Sequence, residues 1–256
     1  MMGKEYVLGR GRLYFDQFLP GTKTGTGELY FGNTPELSQS IDTETLDHYD
    51  ADEGLNVKDE SITLENNLTL TFTTDNISID NLALWFAGEK KAITDAGASN
   101  VEETLTVRRG RFYQLGVSAE NPTGVRNITN VSITDGEETP NPINLEGNFE
   151  IDLEKGRIYV ELDAPDVADD TKIIVKYDIE ESKRTLVIGK GQEIRGALRF
   201  ISANPVGKQR DYYFPYVKLT ANGDYALKGS EWQQMSFTAE VLKKDAATER
   251  VYIDAE

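Results

Sequence analysis

The stretch from Ser61 to Thr73 constrains the fold more than any other part of the chain. Apolar Ile62, Leu64, Leu68, Leu70 and Phe72 alternate with polar Ser61, Thr63, Glu65, Asn67, Thr69, Thr71 and Thr73, and Asn66 is the one polar interruption of the apolar set. A period of two is the signature of a strand with one buried face. These thirteen residues would reach roughly 43 Å at ~3.3 Å each, more than twice an ordinary strand. A strand of that length suits a barrel or tube wall better than a compact sandwich.

Its expected partner is Glu36 to Leu46, where Leu37, Gln39, Ile41, Thr43 and Thr45 alternate with Ser38, Ser40, Asp42 and Glu44. The connection from Asp47 to Glu60 reads as a long acidic loop, since eight acidic residues and one lysine lie between Asp42 and Glu60. Loops of this length bind something or stay disordered. The period then changes once. Ile79, Leu82, Ala83 and Phe86 fall at helical spacing, with Asp75, Asn76 and Ser78 as cap candidates and Gly88 at the far end. That predicts one amphipathic helix of about ten residues packed on a sheet.

From Ala96 to Arg184 the texture shifts to short strands between polar, proline-containing connections: Thr104–Arg108, Phe112–Val117, Asn127–Thr134, Asn148–Leu153, Arg157–Leu162 and Lys172–Ile179. A hairpin turns at Glu154-Lys155-Gly156, where glycine can adopt a positive φ. Regular short strands of this kind predict a small inserted β-sandwich. The long strands return at Gln192–Ser202, Tyr212–Leu219 and Trp232–Leu242. The expected division is therefore residues 1–95 with 185–256 as one β domain and 96–184 as an outward-facing insertion.

Composition removes many functions. The formal net charge of −17 opposes affinity for phosphate backbones and for anionic membrane surfaces. There is no cysteine and a single histidine, His48, so thiolate catalysis, disulfides and Cys- or His-rich metal sites fall away. The longest apolar run, Leu82 to Ala87, is far short of the ~20 residues a membrane helix needs, and the first six residues lack the apolar core of a signal peptide. His48 stands among carboxylates as a general base would, yet an exposed acidic loop simply solvates such a histidine. Asp50-Ala51-Asp52-Glu53-Gly54 begins like a calcium loop, but its glycine is one position early and its twelfth position is Ser61. No lysine after a glycine precedes Ser or Thr, so no phosphate-binding loop is present. Phe112, Tyr113, Tyr212, Tyr213, Phe214 and Trp232 could form a sugar-stacking platform, but their place in alternating strands favours core packing. No acid–base–nucleophile set can be drawn, and neither an enzyme, a metal nor a cofactor is expected.

Several stretches carry a resemblance. They are Gly9-Arg10-Gly11-Arg12-Leu13-Tyr14-Phe15, Tyr30-Phe31-Gly32-Asn33-Thr34-Pro35-Glu36, and Thr73-Thr74-Asp75-Asn76-Ile77-Ser78 leading into Asn81-Leu82-Ala83-Leu84-Trp85-Phe86. Later come Phe112-Tyr113-Gln114-Leu115-Gly116, then Glu150-Ile151-Asp152 with Gly156-Arg157-Ile158-Tyr159-Val160. The longest is Gly196-Ala197-Leu198-Arg199-Phe200-Ile201-Ser202-Ala203-Asn204-Pro205-Val206-Gly207, followed by Asp211-Tyr212-Tyr213-Phe214-Pro215 and Gly223-Asp224-Tyr225-Ala226-Leu227-Lys228-Gly229. In this order they resemble the major tail tube proteins of long, flexible-tailed bacteriophages.

The resemblance implies a mainly β fold, a barrel or sandwich with one packed helix, whose copies form hexameric rings that stack into a hollow tube. Its implied partners are further copies of itself, a tape-measure protein in the lumen, tail-tip and tail-terminator proteins, and double-stranded DNA in transit without specific binding. No membrane is implied; the place is the virion tail, after synthesis in the host cytoplasm. Six copies at −17 each carry −102, and such a lumen lets DNA slide where a basic one would trap it. Strand alternation then predicts Ser40, Asp42, Glu44, Glu65, Asn67, Thr69, Thr71, Gln234, Ser236, Thr238 and Glu240 as lumen-facing. The acidic segment, with Asp47, His48, Tyr49, Asp50, Asp52, Glu53, Leu55 and Val57, becomes the expected contact between rings. The N-terminal arm up to about Lys23 is a second candidate for that contact. The competing expectation is a monomeric adhesion module with a calcium-dependent carbohydrate site in the same segment.

Overall fold

The computed structural model describes residues 5–52 and 54–255. The chain is mainly β, 56% strand against 3% helix, and its sheets are not closed. It opens with β1 (Gly11–Phe18), β2 (Gly25–Tyr30), β3 (Glu36–Asp50), β4 (Val57–Thr74), the helix α1 (Ile79–Trp85) and β5 (Gly88–Asp95). Seven strands follow: β6 (Ala98–Val107), β7 (Arg111–Gln114), β8 (Ile128–Asp135), β9 (Pro142–Ile143), β10 (Phe149–Asp152), β11 (Arg157–Val160) and β12 (Thr171–Ile179). The last five are β13 (Ser182–Gly189), β14 (Ile194–Ser202), β15 (Arg210–Asn222), β16 (Met235–Val241) and β17 (Tyr252–Ala255). Two compact units result, one of Met1–Lys90 with Val187–Glu256, the other of Lys91–Leu186. The strands β5 and β13, which cross the boundary in opposite directions, pair with each other.

The first unit is built on one antiparallel sheet in the order β2-β1-β14-β15-β16-β4-β3, with β17 added beside the start of β15. Alternation selects which side chains meet on its inner side. Leu68, Leu70 and Phe72 of β4 and Met235, Phe237, Ala239 and Val241 of β16 are all buried there. Phe31 packs edge-on to Phe72 at 4.8 Å between centroids, and Phe72 stacks on Phe237 at 5.2 Å. Each aromatic pair of this kind adds about 0.5–1.5 kcal/mol beyond its buried area.

The predicted helix exists but is shorter, with seven residues. Ser78 caps it by accepting the Asn81 N–H at 3.1 Å. Its end comes early because Ala87, rather than Gly88, takes the left-handed conformation at φ 46°. The buried residues are Asn81, Ala83 and Leu84, whereas Ile79 and Phe86 of the expected apolar stripe are exposed. Buried Asn81 uses its side-chain amide to donate to the carbonyls of Phe31 and Asn76, both at 2.8 Å. A polar residue thus ties the helix to the segment after β2.

The second unit has a four-stranded sheet, β6-β12-β8-β9, and a three-stranded sheet, β10-β11-β7. Both contribute to one core that includes Val107, Ile133, Ile158, Val160, Ile173 and Val175, which is a sandwich-like arrangement. The hairpin at Glu154-Lys155-Gly156 forms where the sequence places it, with Gly156 at φ 63°. In the middle of the four-stranded sheet, β12 shifts register against both neighbours around Asp178. Its carboxylate accepts the Asn100 backbone N–H and the Asn130 side-chain amide, both at 2.7 Å. Asn100 and Asn130 lie at φ 55° and 50°, a conformation that asparagine tolerates better than most residues. One carboxylate therefore holds two bulges in place.

Candidate assembly surface

The most unusual feature of the first unit is the hairpin made by β3 and β4. Its root is ordinary sheet, packed on one side by Leu68, Leu70 and Phe72. Beyond the root, every residue from Val57 to Asn67 is exposed, and on β3 only Leu37 and Asp47 are even half-buried. Eleven residues of bare ladder make an arm of roughly 35 Å at ~3.3 Å per residue. The segment from Asp47 to Glu60 is therefore not the long loop expected from its charge. Asp47, His48, Tyr49 and Asp50 complete β3, and Val57 starts β4. Only residues 51–56 connect the two strands.

Polar contacts explain why so acidic a segment forms a ladder. Asp47 accepts from the Lys58 ammonium at 2.7 Å and from the Ser61 hydroxyl at 2.7 Å. These two contacts, Lys58 first, hold the Asp47 carboxyl below the usual carboxylate range. His48 Nδ1 lies 2.6 Å from Asp59 Oδ1. At the root, the Arg250 guanidinium donates to the Asn66 carbonyl at 2.5 Å.

The arm is not polar throughout. Ile41, Leu46, Tyr49, Leu55, Val57, Ile62 and Leu64 are each more than half exposed. Two register shifts arrange them, one between Glu44 and Thr45 and one between His48 and Tyr49. The first leaves Leu64 unpaired, because Glu44 faces Glu65 while Thr45 faces Thr63. Consequently Ile62 pairs with Leu46, in line with Asp42 and Glu44, whereas Leu68 pairs with Ile41. The expectation that Ile62 and Leu64 share a buried face with Leu68 is corrected: the bulge breaks the alternation, and both side chains are exposed.

The residues expected to line a lumen are brought together by register. Ser40 faces Thr69, Asp42 faces Asn67 and Glu44 faces Glu65 across β3 and β4. On the other side of β4, Thr71 faces Thr238, Thr69 faces Glu240 and Thr73 faces Ser236. Together they form one polar face, hydroxyl-rich over the sheet and carboxylate-rich along the arm. Gln234 is exposed just before β16. Sequence reading missed Ser38, Lys218 and Thr220, which continue the same rows, Thr220 opposite Thr238 and Lys218 opposite Glu240. Their signal was the alternation at the end of β15. Lys218 brings a cation into these rows, opposite Arg195 of β14, and Glu193 takes up both, at 3.1 Å and 2.9 Å.

Of the residues expected to contact another ring, Asp47, His48, Tyr49 and Asp50 lie on the end of β3. Asp52 and Leu55 belong to the turn, and Val57 opens β4. Glu53 lies outside the described residues. Asp52 donates its backbone N–H to the Asp50 carboxylate at 2.9 Å, a local turn contact. Among the described residues, no three or more acidic or histidine side chains are placed to hold a metal ion. The aromatic set does not assemble into a platform: Phe214 is buried, while Phe112 and Trp232 are exposed. Core packing, expected for all six, fails for those two. Phe112 stands beneath the Arg157 guanidinium at 4.6 Å.

Among the described residues the sheet also offers two free margins, since β2 pairs only with β1 and β3 only with β4. Unpaired edges of this length invite pairing with another chain. No helix among the described residues is long and apolar enough to cross a membrane. No curated protein matches the chain. The model of the family described as "Protein of unknown function UCP028589" matches residues 6–251, and the chain belongs to that family.

Proposed function

We propose that the chain is a structural subunit that assembles with copies of itself into rings and a stacked, hollow tube, as the tail tube of a long-tailed bacteriophage does. The observation that carries this reading is the β3–β4 arm. It extends beyond its own core with seven large apolar side chains more than half exposed, an arrangement that monomeric proteins avoid and interfaces use. The open margins along β2 and β3 supply a second means of joining copies, side by side.

In this reading the polar face that runs through Thr71, Thr69 and Thr238 lines the channel, and the arm reaches the next ring. Hydroxyls and carboxylates repel or ignore phosphate, so a duplex passes without being held. The tape-measure protein would occupy the same channel before DNA, and tail-tip and terminator proteins would meet the two ends of the tube. The role is assembly, not catalysis.

Negative-stain electron microscopy of the purified, concentrated protein tests the reading. Hollow rings or tubes are expected. A protein that stays monomeric at every concentration, with or without Ca²⁺, would overturn it.

A further inference from the structure

Two features of the first unit lie outside the exposed part of the arm. One is a groove of about 990 Å³ in the side of the unclosed sheet. Leu37, Leu70, Phe200 and Phe214 form its apolar lining, and Arg10 and Glu36 stand at its polar border. The other is the connection between β15 and β16, which carries Trp232, 92% exposed, and Leu227, 76% exposed. Trp232 is the most exposed large apolar side chain of the described residues, and apart from it only Leu55 of the arm exceeds Leu227.

The connection is braced, not loose. The Tyr225 hydroxyl donates to Gln233 Oε1 at 3.1 Å, and the Gln233 amide donates back to the Ala226 carbonyl at 3.0 Å. The Tyr225 ring packs on Trp85 of α1 at 5.6 Å between centroids. Leu227 and Trp232 therefore flank a latch and project outward from a fixed base. Tryptophan is among the side chains most enriched in the anchors of protein interfaces. Bracing the backbone beside it beforehand lowers the ordering cost of binding.

Charge supports a second copy as the partner. Lys228 and Glu231 flank the two anchors on the connection, and Arg10 and Glu36 flank the groove. All four are exposed, and none takes part in an ion pair among the described residues. Trp232 borders a different hollow, with Asp75 and Ile77, so groove and anchor are separate patches of one copy. Separate patches are what a head-to-tail contact requires. We infer that Trp232 and Leu227 of one copy seat in the Leu37–Leu70–Phe200–Phe214 groove of another, with Glu231 meeting Arg10 and Lys228 meeting Glu36. The inference rests on the assembly reading above and adds a contact that does not involve the arm.

The test follows self-association by sedimentation velocity and light scattering, alongside electron microscopy. Trp232→Ala should raise the concentration of half-assembly at least tenfold without lowering the melting temperature of the subunit. Gly9→Gln, at a groove position where an added side chain meets open space, should do the same. Arg10→Glu should weaken assembly, and adding Glu231→Arg should restore it. A readout free of mutation at the contact comes from Trp85→Phe, which leaves Trp232 as the only tryptophan and removes an indole N–H that has no partner among the described residues. Its emission should shift to the blue as copies associate. Rings or tubes formed with Trp232→Ala at wild-type concentrations, or with Trp232 emission still that of a water-exposed indole, would overturn the docking contact and leave the assembly reading standing. A wild-type protein that never associates would overturn both.

Discussion

Leu46 and Ile62 sit directly opposite each other across the β3–β4 ladder, yet both are more than half exposed. A cross-strand apolar pair normally marks the buried side of a sheet. Here it marks the side of the arm that also carries Asp42 and Glu44, because one bulge at Leu64 has turned it over. The pair stabilises the ladder slightly and leaves most of its apolar surface unused until another chain covers it.

Replacing both residues, Leu46→Ser with Ile62→Ser, should therefore separate folding from assembly. The subunit's unfolding free energy should change by only about 0.5 kcal/mol per site, as at other exposed positions. Ring and tube formation should be lost. Thermal melts and electron microscopy on the same preparation check this, and a double variant that still forms tubes at wild-type concentration would remove the arm from the interface.

Glu44 and Glu65 are also direct cross-strand partners, and like charges in that position oppose pairing. Glu65→Gln should slow hydrogen exchange of the backbone amides on either side of this pair. Added salt should have the same effect on the native arm through screening. Exchange that is faster in the variant would contradict the repulsion.

Arg184 in the second unit binds Asp95 at 3.1 Å, Asn121 Oδ1 at 2.9 Å and the Gly124 carbonyl at 2.7 Å, and both charged side chains are mostly buried. Truncating it leaves Asp95 desolvated with its charge unmatched. Arg184→Ala should cost about 2–4 kcal/mol, read from urea denaturation as a lowered midpoint with an unchanged slope. Arg184→Lys should recover only part, since an ammonium cannot span all three acceptors.

Asp178 provides the pH prediction. Hydrogen bonds from Asn130, then Asn100, hold its carboxyl below the usual range. A depressed carboxylate contributes stability that is complete above its unfolded pKa, about 3.9, and lost as pH falls through the lower folded value. Asp135, held down by Asn141, acts in the same direction. The urea midpoint of the second unit should be flat on this account from pH 7 to about pH 5 and fall below about pH 4. Asp178→Asn should start lower and fall less steeply in acid. An identical acid slope in that variant would exclude Asp178 as a source.

The periods of two in β3, β4 and β16 were legible in the sequence because alternation is a local property: each side chain's face follows from its neighbours in the chain. For the same reason the turn at Gly156, three cap candidates that included Ser78, and the polar rows through Thr69, Thr71 and Thr238 could be read without coordinates. Of the strands of the second unit, β8, β10 and β12 lie within one residue of the expected ends, whereas β6 starts at Ala98 and not at Thr104. Three things depended on residues far apart in sequence. The bulge at Leu64 exists only in register with β3, so no reading of β4 alone could place Ile62. The ladder from Asp47 to Glu60 depends on Lys58 and Ser61 meeting Asp47 across the hairpin, where charge density alone suggested a loop. The groove joins Arg10, Leu37, Leu70, Phe200 and Phe214 from five separate segments. Local chemistry determined most of the strands and, away from the bulges, which way their side chains point. The pairing of distant strands decided which apolar residues were left without a core, because burial is a property of the assembled sheet and not of any one strand.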